Sequence, residues 1–247
     1  MKNPMEYEKV KSMDYVRLPL EGTKNTRDLG GYPTKDNKVT KFHVFIRSDR
    51  LTDITDKDSK FLKNYGITDI IDLRGNTAIQ FTFVSDDNIN KKYFKFHYIP
   101  LSTLEYEQYA NAEKDKENFN HGVGYTYVLE NKSRIKEVFD ILAESEGGVL
   151  FHCTAGKDRT GIISALILGL CDAYIKDIIA NYEVSNTYLE DTDVIEKYSE
   201  NLKKSSPEFI ITFIENLLEK YDSFEDYILS CNVSKENIEK IRKKFCK

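Results

Sequence analysis

Residues 148–170 read GVLFHCTAGKDRTGIISALILGL, and no other stretch restricts the fold so tightly. Val149, Leu150 and Phe151 have the apolar run of a buried strand. Gly161 opens an equally apolar run of helical length, and the few polar and small residues from 153 to 158 can only form a tight loop between the two. Three further β-branched and aromatic runs, KFHVFIRS (41–48), ITDIIDL (67–73) and YFKFHYIP (93–100), precede it and alternate with amphipathic stretches. With GGVLFHC (147–153) they make four strands joined by crossover helices, which predicts an α/β fold with a central, mostly parallel sheet flanked by helices.

Local signals place the helices. Thr55 or Asp58 can cap a helix carrying Phe61, Leu62 and Tyr65 on one side, and Gly66 supplies a left-handed stop before the strand that reaches Asp72. Val128, Leu129, Ile135, Val138, Phe139 and Leu142 predict one helix over roughly 123–145. Beyond residue 172 the strand signal ends. Ser206, Pro207 and Glu208 read as cap, first-turn proline and dipole-matched acid of a helix with Phe209, Phe213, Ile214 and Leu217 on its apolar side. Ser234 caps a last helix bearing Ile238, Ile241 and Phe245. This C-terminal block is expected to be a helical layer packed on the sheet or a lid over a pocket.

No repeat, low-complexity tract or long Pro/Gly linker divides the 247 residues, so a single domain over 1–247 is expected. A net charge of -5 and the lack of a basic patch argue against nucleic acid as partner. Cys153, Cys171, Cys231 and Cys246 form no CxxC pair and read as free thiols of a reducing compartment. No apolar run approaches the ~20 residues of a membrane span. The N-terminus is charged throughout, so a cytoplasmic protein is expected, with secretion left open for a chain whose leader has been cut off. Oligomeric state is not legible. His43, His97 and His121 share no metal-ligand spacing, and no metal is expected.

The loop carries the chemistry. It ends at a helix N-terminus, where unpaired N–H groups and the positive end of the dipole bind an anion without a metal. Free cysteine titrates near ~8.5, and helix N-termini with cationic neighbours lower this to about 3.5–7.5, so Cys153 is expected to be a thiolate and an activated nucleophile at neutral pH. Arg159, six positions on, can turn back and grip two oxygens of a phosphate dianion. Thr154, Ala155, Gly156, Lys157, Asp158 and Arg159 are thus the candidate phosphate cradle. Gly156 permits a backbone conformation closed to other residues, and Gly161 lets the helix pack closely. The Thr160 hydroxyl can donate to the sulfur, and His152 is expected to bond the loop backbone rather than act as a base. Lys157 either adds attraction for a second phosphate or points away, solvated.

HCTAGKDRTG resembles the Cys-x5-Arg-[Ser/Thr] loop of cysteine-dependent phosphatases, in particular the atypical bacterial tyrosine and phosphoinositide phosphatases, with GKDRTG the specific part. NTRDLGGYPT (25–34), VFIRSDRLTDIT (44–55), IIDLRG (70–75) and NYEVSNTYL downstream extend the likeness to about residues 25–190, leaving 190–247 as a helical extension. The resemblance implies a protein tyrosine phosphatase acting through a phosphocysteine that water hydrolyses while Arg159 holds the developing charge. It implies no cofactor. Phosphorylated protein or phosphoinositide would be the substrate partner, since a lysine at 157 goes with phosphoinositide activity among relatives. Phosphotyrosine is the easier substrate, its leaving group titrating near ~10.

Many relatives carry an acid, an aspartate, some thirty residues before the cysteine, but FNHGVGYTYVLE (119–130) has none. Asp158 is the first alternative: a neighbouring thiolate and dianion would raise its pKa, against Lys157 and Arg159. It could instead be a structural carboxylate bonding loop N–H groups. Asp72, at the strand end where α/β sheets build ligand sites, is the second, with Arg74 as its ion-pair partner under the pocket floor or as a substrate contact. Arg27 and Asp28 are expected to pair and buttress the pocket, with Gly30 and Gly31 as a turn. Gln80 stands where relatives carry a glutamate. A non-catalytic phosphate-binding module could dispense with Cys153 or Arg159, and both are kept. A sulfurtransferase or arsenate reductase also uses a loop cysteine, but Cys171 is badly placed to resolve it.

Overall fold

The computed structural model describes residues 13–75, 88–113, 116–117, 119–196 and 199–246; Gln80 lies outside them. In chain order the elements are β1 (Arg27–Asp28), β2 (Phe45–Ser48), α1 (Asp56–Asn64), β3 (Ile67–Asp72), β4 (Lys95–Tyr98), α2 (Leu104–Glu113), α3 (His121–Leu129) and α4 (Lys132–Glu144). There follow β5 (Gly148–His152), α5 (Asp158–Leu170), α6 (Ile175–Glu183), α7 (Ser185–Leu189), α8 (Glu200–Lys203), α9 (Pro207–Lys220), α10 (Phe224–Ser230) and α11 (Lys235–Phe245).

The sheet runs β1-β2-β5-β3-β4, with β1 antiparallel to β2 and every other pair parallel. β5 is the central strand, and all five of its residues are buried between helical layers over the two faces of the sheet. Alternation sorts the side chains: Phe45, Ile71, Val149 and Phe151 face the core shared with α3–α6 and α9–α11, while Ile46, Ile70 and Leu150 face the smaller core under α1. Ser48 and Asp72 both pair with His152, so three strands end level and their next residues converge above one sheet edge.

Thr55 caps α1 by accepting from Asp58 N (3.1 Å), and Asp58 returns the bond from Thr55 N (3.0 Å). Gly66 stops the helix at φ +99°, a conformation glycine adopts without strain. Ser234 accepts from Asn237 N (3.1 Å) and starts α11.

Three expectations need correction. The helix over 123–145 is two helices, because Asn131 leaves the helical region (φ -80°, ψ 54°) and becomes the N-cap position of α4; asparagine competes with helical hydrogen bonding and is favoured at such breaks. Ser206 occupies the N-cap of α9, but its hydroxyl donates to the Glu208 carboxylate and caps no backbone N–H. Arg27 and Asp28 do not pair: they lie consecutively on β1, so their side chains leave on opposite faces. Asp28 accepts from Gly30 N (2.8 Å), His43 N (2.8 Å) and Tyr65 Oη (2.9 Å).

Helices α9–α11 form the C-terminal layer, with Phe209, Phe213, Ile214, Leu217, Ile238, Ile241 and Phe245 buried in the main core. Leu189 at the end of α7, with Val194 and Ile195 beyond it, lies instead against the loop and packs with Ala155.

Candidate active site

Cys153 follows β5 directly and is 1% exposed. The loop then turns to Lys157 at the N-cap of α5. Its shape is fixed from outside. Thr154 O accepts from Arg50 N (2.9 Å), Ala155 O from Asn25 Nδ2 (2.9 Å) and Gly156 O from Arg47 Nη2 (2.7 Å). In a planar trans peptide the N–H opposes the C=O, so three consecutive outward carbonyls turn the N–H groups of Ala155, Gly156 and Lys157 inward. None of these three bonds a described residue. Gly156 sits at φ +67°, and a Cβ there would meet Ser48 O at 2.5 Å. A Cβ at Gly161 would meet the Tyr182 ring at 2.8 Å.

The concavity is electropositive. Arg47 is fully buried, with Nη1 on Asn181 Oδ1 (2.5 Å), and Cys153 lies within its field. Burial lowers the Arg47 pKa to about 10, which leaves it charged at neutral pH. Arg27 donates to Asn25 O (3.1 Å), Asn181 O (2.6 Å) and Ser185 Oγ (2.9 Å); burial, then the neighbouring Arg47 charge, push its pKa well down. Both guanidinium groups hydrogen-bond neutral acceptors and neither is paired directly with a carboxylate of a described residue, so the charge on Arg47 favours an anion in the loop. Arg159 Nη1 donates to Leu73 O (3.3 Å), and Leu73 N donates to His152 O (2.8 Å), so the guanidinium stands beside the start of the loop. His152 Nδ1 meets Cys153 O at 3.2 Å.

The hydroxyls of Thr154 and Thr160 are buried and bond no described residue, so the expected contact from Thr160 to the sulfur is not formed. Lys157 is fully buried rather than solvated, its Nζ on Asp158 Oδ1 (2.7 Å) and Lys204 O (3.2 Å). Asp158 also accepts from the Tyr125 hydroxyl. Burial would push its carboxyl up, but Lys157 above all, then His121 and the two hydrogen bonds, outweigh this and hold it at about 2. Asp72 is gripped by Arg74 through Nε (2.9 and 3.1 Å) and Nη2 (2.7 Å), the ion pair among the alternatives above. Burial raises its pKa, and His152 with Arg74 bring it below the usual range.

Sequence reasoning missed Arg47, Asn25, Asn181, Tyr125 and Tyr182. Asn25, Arg47, Asn181 and Tyr182 fall inside the family-like segments NTRDLGGYPT, VFIRSDRLTDIT and NYEVSNTYL without having been singled out, and Arg47 left the further trace of a charge inside the apolar run VFIRS. Among the described residues no cluster of three or more His, Cys, Asp or Glu side chains is placed to hold a metal, and no helix is long and apolar enough to cross a membrane.

A model described as the tyrosine phosphatase family matches residues 18–247, well beyond the 25–190 legible as a resemblance. A tyrosine-protein phosphatase of Nostoc commune is 36% identical over 151 residues, covering 60% of this chain and 50% of that protein. A Cupriavidus necator protein provisionally named a tyrosine-protein phosphatase is 26% identical over 179 residues, 68% of this chain and 63% of that one. The chain thus spans about half the length of the first and under two thirds of the second. A crystal structure of P. aeruginosa TpbA in complex with pTyr aligns at 13% identity and TM-score 0.36, over 64% of this chain and 85% of that one.

Proposed function

Because the chain belongs to the tyrosine phosphatase family, we propose that it hydrolyses phosphotyrosine in proteins through a phosphocysteine on Cys153. The observation that carries the proposal is the trio of outward carbonyls at 154–156, which turns three N–H donors to the inner side of the loop that begins with a buried cysteine. The phosphoryl group sits on those donors, with Arg159 closing over its oxygens as charge develops. The Cys153 sulfur attacks phosphorus in line; the S–P bond forms as the bond to the tyrosyl oxygen breaks, and that oxygen takes a proton from Asp158. Water then attacks phosphorus, gives a proton to Asp158, and breaks the S–P bond, releasing phosphate.

With its pKa held at about 2, Asp158 is ionised at neutral pH before substrate binds and has to gain a proton to act as the acid. A phosphate monoester loses its second proton near ~6, so a bound monoanion can supply it. The remaining phosphoryl charge, beside Asp158, then raises the carboxyl toward the range an acid needs. Asp72, gripped by Arg74, is the weaker candidate for this role.

Activity on phosphoserine, phosphothreonine or phosphoinositides is a wider reading. For phosphoinositides it draws on Lys157, which here is committed to Asp158 and Lys204 and offers no cation to a second phosphate; phosphotyrosine therefore ranks first. The test is phosphate release in the presence of EDTA from phosphotyrosyl peptides, phosphoseryl peptides and inositol lipids, by wild type and Cys153→Ser. Release from phosphotyrosine by wild type alone supports the proposal. Equal turnover by the serine variant removes covalent catalysis.

A further inference from the structure

We propose that Tyr125 is a positioning residue of this reaction: backed by Tyr182, it joins Lys157 in occupying Oδ1 of Asp158 and leaves Oδ2 as the atom that delivers and recovers the proton. The inference rests on Asp158 being the acid of the proposed function.

The carboxylate is bonded unevenly. The Tyr125 hydroxyl and Lys157 Nζ (2.7 Å) both donate to Oδ1, and no described residue bonds Oδ2. The side chain keeps 18% of its surface exposed. Oδ2 is not enclosed without a partner, as the Thr154 and Thr160 hydroxyls are, so the unbonded oxygen is the reachable one. Two donors on one oxygen fix the torsion of a carboxyl group that would otherwise rotate between equivalent faces. They also concentrate negative charge on Oδ1, so a proton added to the group resides on Oδ2.

The direction of the chain is fixed as well. Tyr125 and Tyr182 hydroxyls lie 2.6 Å apart, and since Tyr125 spends its one hydrogen on Asp158, Tyr182 must be the donor between them. Burial first, and Asp158 next, push both phenols well above their ordinary pKa, so neither loses its hydrogen near neutrality. The other groups facing Asp158 are His121 on α3, kept neutral by burial that lowers it to about 3, and Arg47 on β2. Neither hydrogen-bonds Asp158. The phenol itself cannot wander. Tyr125 packs against Tyr106, His121, Tyr182 and Phe213, and Asn120, which caps α3 through Gly122 N (2.8 Å), also bonds Thr212 of α9 (2.9 Å).

In the first step Oδ2 passes its proton to the leaving oxygen as the P–O bond breaks; in the second it takes one from the attacking water. Tyr125→Phe removes a single oxygen and keeps the ring stack. With the carboxyl mis-aimed, kcat on a primary alkyl phosphate should fall about 10-fold or more, within the range proton transfer controls. On nitrophenyl phosphate, which leaves without help, the change should stay within about 3-fold, and KM should hold for both. The alkaline limb on the alkyl substrate should move to higher pH, since the carboxylate has lost a donor that favours its anion. In an Asp158→Asn background the substitution should change the alkyl-to-aryl ratio no further. Tyr182→Phe should give a smaller shift of the same kind and carries the test if Tyr125→Phe does not fold, as judged by thermal melting. Equal losses on both substrates with an unmoved limb would overturn the inference. An Asp158→Asn enzyme with the wild-type alkyl-to-aryl ratio would instead remove the acid assignment, and the role of Tyr125 with it.

Discussion

The two flanks of the catalytic loop hold it in different ways. On one side residues 25–50 bind its backbone: Asn25, Arg47 and Arg50 each take a carbonyl of residues 154–156. On the other side α3 and α6 leave the backbone alone and hold one side chain, Asp158, through Tyr125 and Tyr182. The first flank decides where an anion sits, whatever its leaving group. The second decides what happens to one proton. Substitutions on the backbone flank should therefore harm all phosphate esters alike, and those on the side-chain flank should discriminate by leaving group.

The largest expected effect tests the second half of that contrast. Asp158→Asn should lower kcat on an alkyl phosphate by about 10²- to 10⁴-fold, the span of acid-base catalysis, with a far smaller loss on nitrophenyl phosphate. A uniform loss would mean that Asp158 shapes the loop as the first flank does. Next in size is Arg47→Lys, which removes a buried, charge-assisted bond to Gly156 O. At about 1.5–3 kcal/mol it should cost roughly 10- to 100-fold in kcat/KM on both substrates. A loss confined to the alkyl ester would erase the distinction. Asn25→Ala removes a neutral donor to Ala155 O worth about 1 kcal/mol, so about 5-fold, again on both substrates.

These contacts mark the limit of what the sequence discloses. The central strand, the loop and the apolar helix were legible because each is written in consecutive residues, and Thr55, Gly66 and Ser234 announced their helix ends through local chemistry. Asn131 carried a break signal that the apolar spacing over 123–145 concealed. Consecutive charges at Arg27 and Asp28 suggested a pair because a two-residue strand is too short to show its alternation. The contacts of the two flanks with the loop were not visible: Arg47 meets Gly156 across 109 positions and Tyr125 meets Asp158 across 33. A tyrosine on a core helix reads as packing until the fold places an aspartate beside its hydroxyl. Neither reading of Lys157, as a cation for a second phosphate or as a solvated side chain, anticipated its burial, since its partner Lys204 O comes from a distant segment.

The smallest effect, on stability rather than rate, separates the flanks by sign. Each has an aspartate with a shifted pKa. Asp28, on β1, meets only neutral donors, and burial raises its pKa to about 6; Asp158, beside Lys157, falls to about 2. A group raised in the folded state contributes stability below its unfolded pKa and loses it as pH climbs through the folded value. Asp28 should therefore favour the fold below about pH 4 and lose that contribution by about pH 6. For Asp158 the sign reverses: its contribution, of about 2 kcal/mol, is present above about pH 4 and lost as pH falls toward 2. Urea unfolding from pH 2 to 7 should show the gap between wild type and Asp158→Asn closing on acidification. The stability of wild type relative to Asp28→Asn should decline as the solution is made less acidic. Parallel curves for the two variants would mean that the buried lysine does not set the charge of Asp158, and the electrical difference between the flanks would then have to lie in Arg27 and Arg47 alone.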